Sequence, residues 1–390
     1  MKQHSVSGKK NSLPEQTEMS DNTSESHTLE QVGEITGKTA DPLKQHNSDF
    51  KEIENKVGDP FQIFLEEEKA GNIRPSTEAE YERAFRHFRE FMSSNDRHPA
   101  CARTSHVVDF VAHEHEVKGN EKPTIKTKLQ KLNSAFGYFQ REAPFPQEEE
   151  YNPFNNALHK TNWSEQERRE LPDVSLEKIR AIFDEITNIR NRIIILLGLK
   201  LGMRQGEIRN MQLQDIHINK EELEAHYAAF GSHPQIQDRE NVICIPPRME
   251  RKGNKSKRGR VLPLDDELRR ALLDYLLIRP DCGEPWVFVS LTDHEHITDK
   301  DRLNQVWRDE VASRIETTER HRPIRSHFGR HWFTTYWRIE EELDRNHVKY
   351  MRGDKPGGSY NNSEAIDEYL HPEFEHIKEE YLNRIFKLNI

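Results

Sequence analysis

Cysteine is nearly absent from this chain: Cys101, Cys244 and Cys282 are the three in 390 residues, far apart and without paired or metal-ligand spacing. That excludes a disulfide framework and a zinc module, and makes a reducing compartment the expectation. No apolar run approaches the roughly 20 residues needed to cross a bilayer. The polar N-terminus carries no apolar stretch for secretion, so a cytoplasmic protein with no membrane partner is expected. A Gly-x-x-x-x-Gly-Lys-Ser/Thr phosphate loop is also missing, which removes the usual ATP site. An excess of positive charge is lacking too: 58 Lys and Arg face 68 Asp and Glu, a net charge of -10. Net charge governs solubility and steering, whereas phosphate contacts depend on where the basic side chains sit. Nucleic-acid binding therefore stays open.

Aromatics are scarce at the start of the chain. Residues 1–58 are rich in Ser, Thr, Asn, Gln, Lys and Glu, and are expected to be disordered because little apolar surface offsets the chain entropy. Apolar residues then recur at helical spacing. Phe61, Ile63, Phe64 and Leu65 precede Gly71; Tyr81, Phe85, Phe88 and Phe91 follow the helix-start signal Pro75-Ser76-Thr77-Glu78. Val107 to Val111, and Leu129, Leu132, Phe136 and Phe139, predict two further helices, giving a small antiparallel bundle over 59–145. Periodicity fades through Pro144-Phe145-Pro146, Glu148-Glu149-Glu150 and Pro153, so 146–172 is expected to be a linker. A second domain, 173–390, opens with Leu176, Ile179, Ile182 and Phe183 on one helical face.

Four features of that second domain bear on chemistry. In Gly202-Met203-Arg204-Gln205-Gly206-Glu207, an apolar helix ends at Gly202 and Arg204 stands at the turn into the next. There a guanidinium can meet an anion beside free backbone N–H groups, or it can lie solvated on a surface turn. Strands over 241–248 and 260–264 predict a β-hairpin whose tip, Glu250 to Gly259, is crowded with Lys and Arg. A flexible basic finger of this kind suits protonation of a leaving oxygen; a solvated charged loop is the alternative. Within Ser326-His327-Phe328-Gly329-Arg330-His331, His327 and Arg330 lie one helical turn apart and can face one phosphate. His327 and His331 also have metal-pair spacing, but neither a third ligand at fitting spacing nor a His-Glu-x-x-His pattern accompanies them. Finally, Gly353-Asp354 and a Gly-rich loop lead to Tyr369-Leu370-His371, and an amphipathic helix through Phe374, Ile377, Tyr381 and Ile385 follows.

Taken in order, these motifs resemble the tyrosine recombinase (phage integrase) family. That family arranges a Gly-x-Arg-x-x-Glu box, a Lys-Gly-x-x-Lys hairpin, His-x-x-Arg-His, a Gly-His box and a terminal Tyr. Lys252-Gly253-Asn254-Lys255 matches the hairpin motif, and the likeness spans about residues 173–382. Two departures stand out. Asp354 replaces the His or Trp of the Gly-His box, and the interval from there to Tyr369 is several residues longer than usual.

The resemblance implies a mainly α fold with a small antiparallel sheet: a helical core-binding domain and an integrase-like catalytic domain forming a two-domain DNA clamp. It implies a DNA-associated, site-specific recombinase acting on double-stranded DNA, as a homo-tetramer on paired sites, with no cofactor or metal. Arg204 and Arg330 would hold the scissile phosphate, Tyr369 would attack it, His327 would assist the tyrosine, and Lys252 would protonate the leaving oxygen. Asp354 would hydrogen-bond the tyrosine hydroxyl or a pocket arginine rather than phosphate. Tyr360 and Tyr381 compete with Tyr369; the first lacks a following His and the second falls on an apolar stripe. The terminal helix is expected to dock on a neighbouring protomer. Other readings are a catalytically impaired DNA-binding relative, a type IB topoisomerase, and a helical interaction module whose charge runs are solvated faces.

Overall fold

The computed structural model describes residues 23–147, 150–163, 169–354 and 373–390. The chain forms two compact units, Met1–Gln166 and Glu167–Ile390.

The first unit is helical: α1 Thr23–Thr36, α2 Asn47–Lys56, α3 Pro60–Phe64, α4 Pro75–Met92, α5 Thr104–Glu116, α6 Lys122–Arg141 and α7 Pro153–Lys160. Prolines sit in the first turns of α3, α4, α6 and α7, where the missing N–H would have had no partner. The expected apolar stripes are the ones buried: Phe85, Phe88 and Met92 on α4, and Leu129, Leu132, Phe136 and Phe139 on α6. They build an aromatic core in which Phe61 meets Phe139 edge-on at 5.4 Å and Phe88 meets Phe154 at 5.1 Å.

Two sequence expectations fail here. Residues 23–58 are not uniformly irregular: Leu43 and Phe50 are fully buried in the first core, and Asp41 pairs with Arg97. Two well-placed apolar side chains anchor a segment whose average composition predicts disorder. The linker is also shorter than 146–172, because Asn152 caps α7 and Phe154 and Ala157 pack into the same core.

The second unit comprises α8 Leu176–Glu185, α9 Ile189–Leu201, α10 Gln205–Arg209, α11 Glu221–His226, α12 Asp266–Ile278, α13 Asp301–Glu310, α14 Ser326–Thr335, α15 Arg345–Arg352 and α16 Phe374–Arg384. Its small sheet contains β1 Ile216–His217, β2 Val242–Ile245 and β3 Arg260–Pro263, in that order and antiparallel, with Cys244 opposite Val261. The predicted hairpin is β2–β3. Helix α9 is buried all round from Ile193 to Leu201 and packs against α12 and α14, so it is the spine of the unit.

The end of the chain closes this core. Phe374, Ile377, Tyr381, Ile385, Phe386 and Leu388 are buried on their own unit, and the Tyr381 hydroxyl donates to the Lys200 carbonyl at 3.1 Å. Fully buried Lys200 donates to Asp265 and Glu267, each at 2.8 Å, and to the Phe386 carbonyl at 3.0 Å. The stripe expected to dock on a neighbour is thus occupied within its own unit. A buried ammonium needs those fixed acceptors.

Candidate active site

The site is assembled where three helix ends meet. Helix α9 stops at Gly202, in the left-handed conformation at φ 59°, and a Cβ there would lie 2.6 Å from the Phe333 ring. Only glycine meets both demands. The turn that follows sets Arg204 before α10. Helix α15 ends likewise at Gly353, φ 63°, which turns the chain so that Asp354 faces back toward Arg204. Helix α14 contributes buried Arg330 from its middle turn.

Arg204 and Arg330 converge on one atom. Each donates from Nη2 to Asp354 Oδ1 at 2.6 Å, and each donates from Nη1 to the Arg352 carbonyl, at 3.1 and 2.8 Å respectively. Arg330 Nη1 also reaches the Gly202 carbonyl at 2.6 Å. Burial, and then the charge of Arg204, pull the Arg330 pKa down to about 9, so it remains a cation at neutral pH. Glu207 stands behind Arg204 as a buried brace, accepting from Arg204 Nη1 at 3.0 Å and from Arg260 Nη2 at 2.8 Å. Burial alone would raise the Glu207 pKa; the Arg260 and Arg204 charges outweigh it and hold the carboxyl at about 2. The brace stays ionised, and the guanidinium planes are fixed before any ligand arrives.

His327 lies on the same α14 face as Arg330. Its pKa is lowered first by partial desolvation and then by the Arg330, Arg352, His331 and Arg204 charges, which favours a neutral imidazole. Beside it opens a cavity of about 250 Å³ lined by His327, Arg330, His331, Arg338 and Arg352, with Thr334 and Thr335. Among the described residues, no three His, Cys, Asp or Glu side chains gather as a metal site.

The hairpin tip is not the flexible finger the sequence suggests. Arg251 is buried in a bidentate pair with Asp215 at 2.8 and 3.0 Å, Asn254 donates to the Pro246 carbonyl, and Ser256 donates to the Gly353 carbonyl at 3.1 Å. These anchors lie between the charged residues, so Lys252 and Lys257 stay exposed on a tethered loop. The Asn210 side chain donates to the Lys252 carbonyl, and the Gly253 carbonyl abuts Gly206, which brings Lys252 beside α10.

Of the proposed site residues, Arg204, Arg330 and Asp354 are in direct contact, with His327 adjacent and Lys252 on the neighbouring loop. Tyr369, Tyr360 and the Gly-rich loop lie outside the described residues. Tyr381 is excluded as a nucleophile because its buried hydroxyl is committed to Lys200 and desolvation raises its pKa well above the usual value. Sequence reasoning missed Arg260 and Arg352. An inward-facing Arg opening a return strand was the available signal for the first. An Arg one residue before the helix-ending glycine was the signal for the second.

Comparison with known proteins gives concordant results. Residues 172–376 match the profile of the phage integrase family. A putative integrase/recombinase of Sinorhizobium fredii is 33% identical over 105 residues, 27% of this chain; the chain spans only 19% of that relative's length. The Tn1549 transposon integrase, solved in complex with transposon right end DNA, superposes with a TM-score of 0.56 at 16% identity, covering 82% of this chain and 96% of that one. A lambda integrase dimer bound to a COC' core site gives 0.56 at 12% identity, covering 78% and 98%. A lambda integrase tetramer bound to a Holliday junction gives 0.55 at 13%, covering 88% and 90%. Since the profile covers more than half of its length and the solved integrases share its fold, the chain belongs to the phage integrase family.

Proposed function

We propose that this protein is a site-specific recombinase that breaks and rejoins duplex DNA through a 3′-phosphotyrosine bond. The observation that carries the reading is the convergence of Arg204 and Arg330 on a single anionic oxygen, braced by Glu207 and Arg260. Such a fork suits the non-bridging oxygens of a phosphodiester, whose charge grows in the transition state.

The chemistry balances without a metal. The Tyr369 oxygen attacks phosphorus, its proton passing to neutral His327, while the bond from phosphorus to the 5′-oxygen breaks. Lys252 gives that oxygen a proton and leaves a 5′-hydroxyl. Rejoining runs the steps in reverse with a 5′-hydroxyl from a second duplex. Because the solved relatives are bound to DNA as dimers and tetramers, paired duplex sites and a tetramer are proposed as substrate and assembly.

A second reading, a DNA-binding relative that no longer cleaves, is favoured by one observation: Asp354 already occupies the arginine fork. The two separate in one assay. Incubation with a pool of nicked random-sequence duplexes should yield denaturant-stable protein–DNA adducts if the protein cleaves. Retention of DNA without any adduct would favour the second reading.

A further inference from the structure

Asp354 is more than a substituted residue of the Gly-His box, because of where its two oxygens lie. Oδ1 takes the Nη2 donors of both Arg204 and Arg330 at 2.6 Å. On the recombinase reading, that is where a non-bridging phosphate oxygen must sit. The other oxygen, Oδ2, lies 2.8 Å from Arg352 Nε, but the N–H is not aimed at it, and that buried donor has no hydrogen-bond partner. A buried donor left unmet is destabilising until an acceptor is brought into line with it. Arg352 is otherwise pinned, with Nη1 donating to Thr334 Oγ1 at 2.8 Å. The Asp354 backbone is fixed as well, its N–H bonded to the Lys349 carbonyl at 2.9 Å, while its side chain keeps access to solvent.

From this arrangement we infer that Asp354 is a displaceable occupant of the phosphate seat and that Arg352 is the positioning residue that receives it. When a phosphodiester enters the Arg204–Arg330 fork, the carboxylate rotates toward Arg352 and completes the bond to Nε. The incoming anion thus replaces an anion between the two facing guanidinium groups. This rests on the recombinase reading for its biological meaning, but its physical content is anion competition in one fork. That can be measured without DNA cleavage.

The probe is inorganic phosphate, titrated into the full chain by calorimetry at neutral pH. A competent fraction reduced by self-occupancy weakens apparent affinity in proportion. Asp354→Ala, which empties the seat, should therefore tighten phosphate binding about tenfold. Arg352→Gln should weaken it, because Asp354 then has no alternative partner. The double variant should match Asp354→Ala, and Arg330→Gln should abolish the response. If Asp354→Ala fails to fold, Asp354→Asn keeps the shape, loses the charge and is read the same way. Unchanged or weaker phosphate binding on removal of the Asp354 charge would overturn the inference, making the carboxylate a fixed part of the fork. A double variant weaker than Asp354→Ala would make Arg352 a direct ligand instead. A phosphate response that survives Arg330→Gln would place the ion elsewhere. All of these results are independent of Tyr369, so failure of the recombinase reading shows separately as absence of a covalent adduct.

Discussion

At the scale of single residues, the proposed mechanism makes its sharpest demands on Lys252 and His327, each of which it gives one proton to move. The proposal gives Lys252 the role of general acid as the first lysine of the hairpin motif, and its backbone lies beside α10, held by Asn210. A substrate with a bridging 5′-sulfur needs no proton to leave, so it should restore cleavage to Lys252→Ala toward the wild-type rate. Rescue of Lys257→Ala in place of Lys252→Ala would move the assignment along the loop. His327 must be neutral to take the tyrosine proton, and its pKa lies below the usual 6.5. Cleavage should therefore rise with pH through an acid limb whose midpoint is below 6.5 and then level off. His327→Gln should erase that limb and slow cleavage by roughly 10²–10⁴. An acid limb centred above neutrality would remove His327 from the proton path. Not every one of these residues was legible in the same way. His327 and Arg330 could be read because their spacing follows helix geometry, and Arg204 because glycines bound the turn that holds it. Arg260 and Arg352 left only weak local signals, since their partners come from distant segments brought together only by the fold.

Secondary-structure elements were legible where side-chain periodicity matched the buried face. Helices α4, α5, α6 and α8 follow that pattern, whereas β2 and β3 are buried at every position and were legible from their apolar runs on either side of a Gly- and Asn-containing turn. Segments whose order depends on one or two anchors were not: Leu43 and Phe50 hold the stretch before Pro60, and Phe154 holds α7. The terminal helix is the instructive case. Its stripe was visible in the sequence, but an apolar stripe does not say which surface covers it, and here β3 and the rings of Trp332, Tyr336 and Trp337 in the same unit do. Deleting residues 385–390 exposes the partners of Ile385, Phe386 and Leu388 and strips Lys200 of an acceptor. At roughly 1.5–3 kcal/mol per large apolar side chain, the second unit should lose at least about 4 kcal/mol. Thermal unfolding of the truncated chain would show this. A variant with unchanged unfolding but impaired assembly on DNA would restore the expectation that this segment docks on a neighbour.

At the scale of the whole molecule, an acidic chain must bind a polyanion through local basic surfaces. On the proposed function, the hairpin lysines and the surface running from His327 on α14 to Arg338 just beyond it supply them within a net charge of -10. Binding should therefore depend on counterion release, with affinity for duplex DNA falling at least about tenfold between roughly 50 and 200 mM salt. A flat response in gel-shift titrations would argue against phosphate contacts as the source of affinity. The central claim is narrower still: one tyrosine becomes covalently joined to DNA. Adducts trapped on nicked duplexes, digested with protease and mapped by mass spectrometry, locate the bond directly. The expected result is a phosphotyrosyl nucleotide on the peptide containing Tyr369, and its complete loss in Tyr369→Phe with folding and DNA affinity preserved. An adduct that persists in Tyr369→Phe, or maps to Tyr360, would contradict it.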